Sequence, residues 1–420
     1  MSGWESASIG DICDVVNGGT PKTGVPEYWG GPHRWITPAE MGKRHTPYID
    51  QTERTITDQG LQNSSARMLP PCSVILSSRA PIGHLVINTE PMATNQGCKG
   101  LVPRSRIDHK FLYYYLGSIV DLLNDLGTGA TFKELSGGKL KEVPVPVPPL
   151  PEQRRIVAIL GEAFEAIAAA KANTEKNVQS ARALFAGHLQ LVFSQQRDGW
   201  VRKSVQQWVD DGILAKPQDG NHGEIHPTKA DYVEAGVPFI MAADLIDGRV
   251  DTQGCRFIAR VQAEALRIGF AKSGDVLLSH KGTIGRVAIL DTNDDYVVLT
   301  PQVTYYRSLN RDRLFNEFLY YCLLSPEFQA AMNRIAGAGS TRAYIGITRQ
   351  LDLQLAFPPI EIQRPTAAQL LRIEEDSSTL AAIYEAKLAA LDELKKSLLH
   401  QAFTGALTAK SMDRQLAEVA

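Results

Sequence analysis

No run of apolar residues in this 420-residue sequence approaches the 18 or so needed to cross a bilayer. Cysteine is scarce: Cys13, Cys72, Cys98, Cys255 and Cys322 are odd in number and widely scattered. That spacing excludes a disulfide framework and the paired ligands of a zinc knuckle. An excess of either charge is also missing, since 44 basic residues against 46 acidic ones leave a net charge of −2. Residues 1–147 hold 14 Lys/Arg against 14 Asp/Glu, and residues 198–355 hold 17 against 19. Neither stretch has the global positive field usual for a free-standing nucleic-acid binder, so DNA binding would need locally placed cations or a basic partner. The start Met1-Ser2-Gly3-Trp4-Glu5 lacks a basic-then-apolar export signal, and the expected location is the cytoplasm.

Catalytic signatures are absent as well. A base-methylating site of the Asn/Asp-Pro-Pro-aromatic type fits none of Pro70-Pro71, Pro148-Pro149 and Pro358-Pro359. No Gly-x-x-x-x-Gly-Lys-Ser/Thr loop is present to cradle a nucleotide phosphate. Glu385-Ala386-Lys387 and Glu393-Leu394-Lys395 imitate a nuclease Glu-x-Lys, but they flank a heptad stripe where charges are simply solvated. His222 and His226 are four apart, yet Gly223 and Pro227 oppose the helix that a zinc site of that type needs. His280 has no Ser/Asp constellation assignable around it. The sequence points to a non-enzyme with no metal site.

What the chain has is repetition. Val74-Ile75-Leu76-Ser77 leading to Ile82-Gly83 returns as Val276-Leu277-Leu278-Ser279 leading to Ile284-Gly285. Phe111-Leu112-Tyr113-Tyr114 returns as Phe318-Leu319-Tyr320-Tyr321, and Val147-Pro148-Pro149-Leu150 as Phe357-Pro358-Pro359-Ile360. The Gly127-Thr128-Gly129 loop returns as Gly337-Ala338-Gly339. Two similar units suit a ligand with two related halves, of which duplex DNA is the foremost.

The order is module, rod, module, rod. The first module, 1–146, is turn-rich with short β-type runs (Ser73 to Leu76, Leu85 to Ile87) and one helical stretch, Phe111 to Leu126. After an extended Val/Pro linker, Glu152 to Phe193 carries apolar residues at near-heptad spacing, including Ile156, Leu160, Phe164, Ile167 and Leu189. At about 1.5 Å per residue, a helix of this length reaches roughly 60 Å, with Gly161 and Gly187 as possible weak points. Gly199-Trp200 restarts the cycle, and the second module has its own helical stretch, Phe315 to Met332. The second rod covers Thr366 to Phe403. The expected divisions are 1–146, 147–197, 198–355 and 356–420, the class is α+β, each module owns a core, and the rods pack on each other.

These residues resemble the specificity subunit of type I restriction–modification systems along almost the whole chain. The resemblance rests on Asn17-Gly18-Gly19-Thr20-Pro21, Glu27-Tyr28-Trp29-Gly30-Gly31, Pro148-Pro149-Leu150-Pro151-Glu152-Gln153-Arg154-Arg155-Ile156, Gly220-Asn221-His222-Gly223, and Ala402-Phe403-Thr404-Gly405. It implies two α/β target-recognition domains, each reading half of a split DNA site, separated by two long antiparallel helices in a pseudo-two-fold arrangement. It implies further that the helical regions dock two modification subunits, through Glu152, Gln153, Arg154 and Arg155 in the first copy and Gln363 and Arg364 in the second. Catalysis then belongs to the partners: adenine methylation with S-adenosylmethionine, and cleavage by ATP- and Mg-dependent restriction subunits. The second copy departs from the first, with Ile362 in the place of Glu152 and Pro365 in that of Arg155.

Side-chain chemistry nominates the DNA contacts. Arg79 and Lys281 follow by two residues the matched serines of the Ser-x-x-x-x-Ile-Gly turn, where a cation can reach a phosphate or a guanine edge. Gln96 and Gln302 correspond in sequence and can pair with adenine. Thr131, Lys133, Thr341 and Arg342 carry donors on the Gly-x-Gly loops. Lys22, Lys43, Arg44 and His222 complete the set, while Tyr28, Trp29 and Trp35 are expected to pack a small core. The competing reading is a non-enzymatic helical scaffold whose two modules bind protein or peptide.

Overall fold

Each apolar-striped segment forms one unbroken helix of 45 residues, Leu150–Ser194 and Ile360–Thr404, roughly 68 Å long at 1.5 Å per residue. These are features of a computed structural model that describes residues 4–44, 46–79, 81–129, 133–195, 199–337 and 344–407. Gly161 and Gly187 do not interrupt the first rod. The second rod begins earlier than expected, so Pro365 sits inside the helix and not in its opening turn. Proline has no N–H, and the Glu361 carbonyl four residues back loses that helical donor.

The chain divides into two compact units, 1–175 with 386–420, and 176–385. Both divisions fall inside a rod. Within the first unit, Lys171 pairs with Asp392 at 2.7 Å and the Arg155 guanidinium donates to the Leu407 carbonyl. Within the second, Arg182 pairs with Glu385 at 2.6 Å, and Leu189 and Phe193 share a core with Ala367 and Leu370. Partner numbers fall as helix numbers rise in both cases, so the rod segments are antiparallel.

The first unit holds a five-stranded sheet in the order Cys13–Asn17, Cys98–Pro103, Val74–Ser78, Ile82–Asn88, Tyr48–Ile49, and a three-stranded sheet of Arg54–Ile56, Trp29–Ile36 and Met92–Thr94. The second holds two five-stranded sheets, one built on Val276–Ser279 between Val287–Ile289 and Val303–Tyr306. The Val/Pro linker is more than a connector: Pro144–Val147 pairs antiparallel with Glu5–Ser8, and Gln354–Phe357 with Val201–Ser204. Each unit thereby fastens its opening strand to the entrance of a rod.

Each expected single helix of a module is two helices. His109–Ser118 and Val120–Leu126 part at Ile119, and Asn316–Leu324 and Pro326–Ala336 part at Ser325, whose hydroxyl caps the second helix at Phe328 N–H. Pro326 is the sequence signal for that break.

Each module owns buried clusters of its own, around Ile36, Ile75 and Met92 in the first and around Ile240, Leu277 and Phe239 in the second, and each also shares a larger one with the rods. Ile156, Leu160 and Ala402 from the rods belong to the same buried cluster as Phe111, Leu116 and Leu140 of the first module. Ala367, Leu370, Leu189 and Phe193 likewise join Phe318, Leu319 and Phe357. A helix segment with an apolar stripe must bury it somewhere, and here the module takes part of it. Leu160→Ala and Leu370→Ala are each expected to cost about 2–5 kcal/mol of unit stability, read by urea unfolding. A loss below about 1 kcal/mol at both positions would return the rods to a separate role.

Candidate nucleic-acid interface

The central ladder of each unit places a serine at the same task. Ser77 Oγ accepts the His84 backbone N–H at 2.8 Å, and Ser279 Oγ accepts the Arg286 N–H at 2.9 Å. These bonds close the Ile82-Gly83 and Ile284-Gly285 turns, whose glycines have φ of 114° and 88°. Only glycine takes that backbone without strain. The turns hold the ends of Val74–Ser78 and Val276–Ser279, from which Arg79 and Lys281 emerge.

Both cations meet the residues that follow the Gly-x-Gly loops. Arg79 bridges Glu134, with Nη1 3.7 Å from Oε2. Lys281 bridges Tyr344, with Nζ 5.8 Å from the ring centre. Lys133 is exposed and its Nζ donates to the Asn124 carbonyl at 3.5 Å. Thr131, Thr341 and Arg342 lie outside the described residues.

The pairing of Gln96 with Gln302 shifts by one residue. Ser78 N–H donates to the Gly97 carbonyl, whereas the matched His280 N–H donates to the Gln302 carbonyl. Gln302 therefore corresponds to Gly97, and Gln96 to Pro301. In a period-two ladder such a slip turns the side chain to the other face. Both glutamines are exposed. Gln96 accepts from the Thr20 hydroxyl, which in turn accepts from Asn95 Nδ2 at 2.9 Å.

Among the other cations, Lys22 is exposed and its carbonyl accepts the Trp29 indole N–H. Lys43 is exposed but paired with Glu53 at 2.9 Å. Arg44 turns inward, donating to the Gln51 carbonyl at 2.8 Å beside Glu40, whose carboxyl is pushed up by burial. Its bonds serve the fold. Trp35 is 2% exposed and meets Trp29 edge-on at 5.1 Å, with Arg54 stacked 3.7 Å from the Trp29 ring.

The second unit brings three nominated residues together. His222, Lys281 and Gln302 line one cavity of about 400 Å³, with His226, Tyr232 and Thr300. His226 was weighed in the sequence only as a metal ligand; among the described residues no group of three or more His, Cys, Asp or Glu could hold a metal. Behind the strand end His280 is fully buried, its Nδ1 donating to the Ile345 carbonyl at 2.8 Å and its Nε2 3.7 Å from Asp219. Burial, the largest influence, holds the His280 pKa below the ordinary histidine value. Thr300 could not be found from sequence because its importance comes from the fold around it.

At the rod entrances the structure reveals a duplicated clamp. Gln153 is fully buried: its Oε1 accepts Asp108 N–H at 2.8 Å, and its Nε2 donates to the carbonyls of Arg106 and Pro148 at 2.9 and 2.8 Å. Gln363 repeats this with Phe315 N–H, Arg313 and Pro358 at 2.9, 3.0 and 2.8 Å. Expected as partner contacts, both amides are spent inside the chain, because a buried primary amide needs all its partners. Glu152 and Arg155 form a bidentate pair at 2.9 and 3.1 Å. Arg154 and Arg364 are exposed, the latter 5.0 Å from the Phe315 ring.

Comparison with known proteins agrees with this architecture. Residues 1–178 match the family model described as the type I restriction modification DNA specificity domain. The type I restriction enzyme MjaIX specificity subunit of Methanocaldococcus jannaschii is 27% identical over 375 residues, covering 85% of this chain and 83% of that protein. The EcoR124I/EcoR124II specificity subunit of Escherichia coli is 32% identical over 163 residues, covering 37% of this chain and 40% of that protein. Among solved structures, a chain from work on complex assembly and conformational transition of the type I R-M system has a TM-score of 0.77 at 19% identity, covering 96% of this chain and 98% of that one. The HsdS subunit from Thermoanaerobacter tengcongensis has a TM-score of 0.61 at 18% identity, covering 97% and 98%. The structural likeness establishes the fold alone: two sheet-bearing domains with two long helices. A duplicated turn-and-cation ladder and a duplicated glutamine clamp stand beside a likeness over most of the chain: the chain is similar to the specificity subunits of type I restriction–modification systems, and residues 1–178 match their DNA specificity domain.

Proposed function

We propose that this chain reads a bipartite duplex DNA site, one half-site per recognition domain (1–146 and 198–355), while the helical regions (147–197 and 356–420) dock two modification subunits. The single observation that carries this reading is the matched pair of serine-closed turns that deliver Arg79 and Lys281 to equivalent places in the two units. Lys22, Lys133, His222, Gln96 and Gln302 are the further contacts proposed around them, and Thr131, Thr341 and Arg342 stay in the proposal on their chemistry. Lys43 and Arg44 are weaker members, since each has a partner within the chain.

Exposed apolar residues on the rods, Leu184 at 57% and Ile383 at 58%, offer surface to partner helices, together with Arg154 and Arg364. The chain does no chemistry. S-adenosylmethionine, ATP and Mg belong to the modification and restriction subunits, and the complex works in the cytoplasm. Among the described residues no helix is long and apolar enough to cross a membrane.

The near-neutral charge makes sequence-independent attraction to DNA weak, because that attraction comes from cations neutralising phosphates. The expected result is that the complex with modification subunits retains, from a random duplex library, molecules with two fixed blocks separated by a fixed gap. Retention of peptide or protein ligands, with no duplex selection, would favour the scaffold reading.

A further inference from the structure

The two units differ at one matched place. In the first, the polar groups at the end of the Met92–Thr94 strand satisfy one another: Thr20 bonds Gln96, Asn95 Nδ2 donates to Thr20, and Asn95 Oδ1 accepts Gly97 N–H at 2.7 Å. In the second, the equivalent end of Val297–Leu299 opens on the cavity of about 400 Å³ lined by His222, His226, Tyr232, Lys281, Thr300 and Gln302. Thr300 is 4% exposed, and its Oγ1 has no hydrogen-bond partner. His226 Nδ1 is likewise buried and unpartnered. Buried polar atoms are ordinarily paired, so two open ones at the edge of a cavity indicate a missing ligand.

We propose that this cavity receives one backbone phosphate of the target DNA, which makes the second domain the better anchored of the two readers. The inference rests on the DNA-reading function proposed above.

Shape selects phosphate over base. Base edges lie on groove floors and are reached by protruding side chains, whereas a phosphate stands out from the duplex and is received by a hollow. The lining matches, because Lys, Thr, Gln and Tyr side chains carry donors that phosphate oxygens accept. Lys281 supplies the charge. The Asp219 carboxylate is buried and engaged by His222 Nε2 at 2.9 Å. Burial and then the neighbouring His222 lower the His226 pKa, opposed by a bond to the Asn221 backbone.

The test uses the full chain assembled with its modification subunits and the duplex that the wild-type complex selects. Lys281→Met combined with Thr300→Val is expected to weaken binding about tenfold on selected and random duplexes alike. The slope of log K against log salt should fall by about one, with the selected sequence unchanged. Gln302→Ala, at an exposed position, gives a smaller uniform loss with no folding cost. A loss confined to one base position, or unchanged affinity in both variants at wild-type thermal stability, overturns the phosphate site. Failure of the wild-type complex to bind any duplex overturns the DNA-reading function itself, a separate result.

Discussion

Exchanging the first recognition domain for that of another specificity subunit should rewrite one half of the methylated site and leave the other half and the gap untouched. The expectation follows from duplication: each unit has its own ladder, its own serine-closed turn and its own cation. The junction decides whether the exchange works. A cut at residue 146 separates Phe111, Leu116 and Leu140 from Ile156, Leu160 and Ala402, with which they share a buried cluster. Each mismatched core position costs on the order of 1–3 kcal/mol, enough in combination to unfold a domain of ordinary stability. The productive exchange therefore carries the module together with the rod residues that it buries, and leaves Gln153 with the backbone groups it clamps. Long-read sequencing of methylated adenines reads the outcome. Change in both half-sites would mean that the domains do not read independently.

Lengthening the rods should lengthen the gap. The ion pairs Lys171–Asp392 and Arg182–Glu385 bracket a stretch of both helices near Glu175 and Leu388. A four-residue insertion adds about 6 Å of helix, close to the rise of two base pairs. It also adds about one turn, so the apolar stripe stays nearly in phase. Because the rod segments are antiparallel partners, the insertion must be made in both; an insertion near Glu175 alone has no matching surface and is expected to loop out. The double insertion should move the gap by about two base pairs with both half-sites intact. An altered half-site with an unchanged gap would refute the rods as a ruler.

Much of this was legible in the sequence for definite physical reasons. The rods declared themselves because a helix that buries a stripe must repeat its apolar residues, and Ile156, Leu160 and Leu189 do so over many turns. Repeated Ser-to-Ile-Gly segments marked the matched turns because the backbone there demands glycine. What escaped was non-local. Gln153 and Gln363 read as exposed polar residues in a charged run, and only the path of the chain around Arg106, Pro148, Arg313 and Pro358 makes them interior clamps. The register of Gln302 against Gly97 depends on loop lengths that alignment by residue type cannot fix. Thr300 and His226 acquire a role only from the cavity that the fold leaves beside them. The sharing of cores between modules and rods was hidden because one stripe can serve a partner helix and a module at once.

The measurement closest to the central claim is a map of methylated adenines in DNA from cells that express this chain with its modification subunits and no other specificity subunit. Two short fixed blocks separated by a gap of constant length and free sequence are expected, with methylation in both blocks. A single contiguous motif, or methylation with no dependence on this chain, would contradict the account.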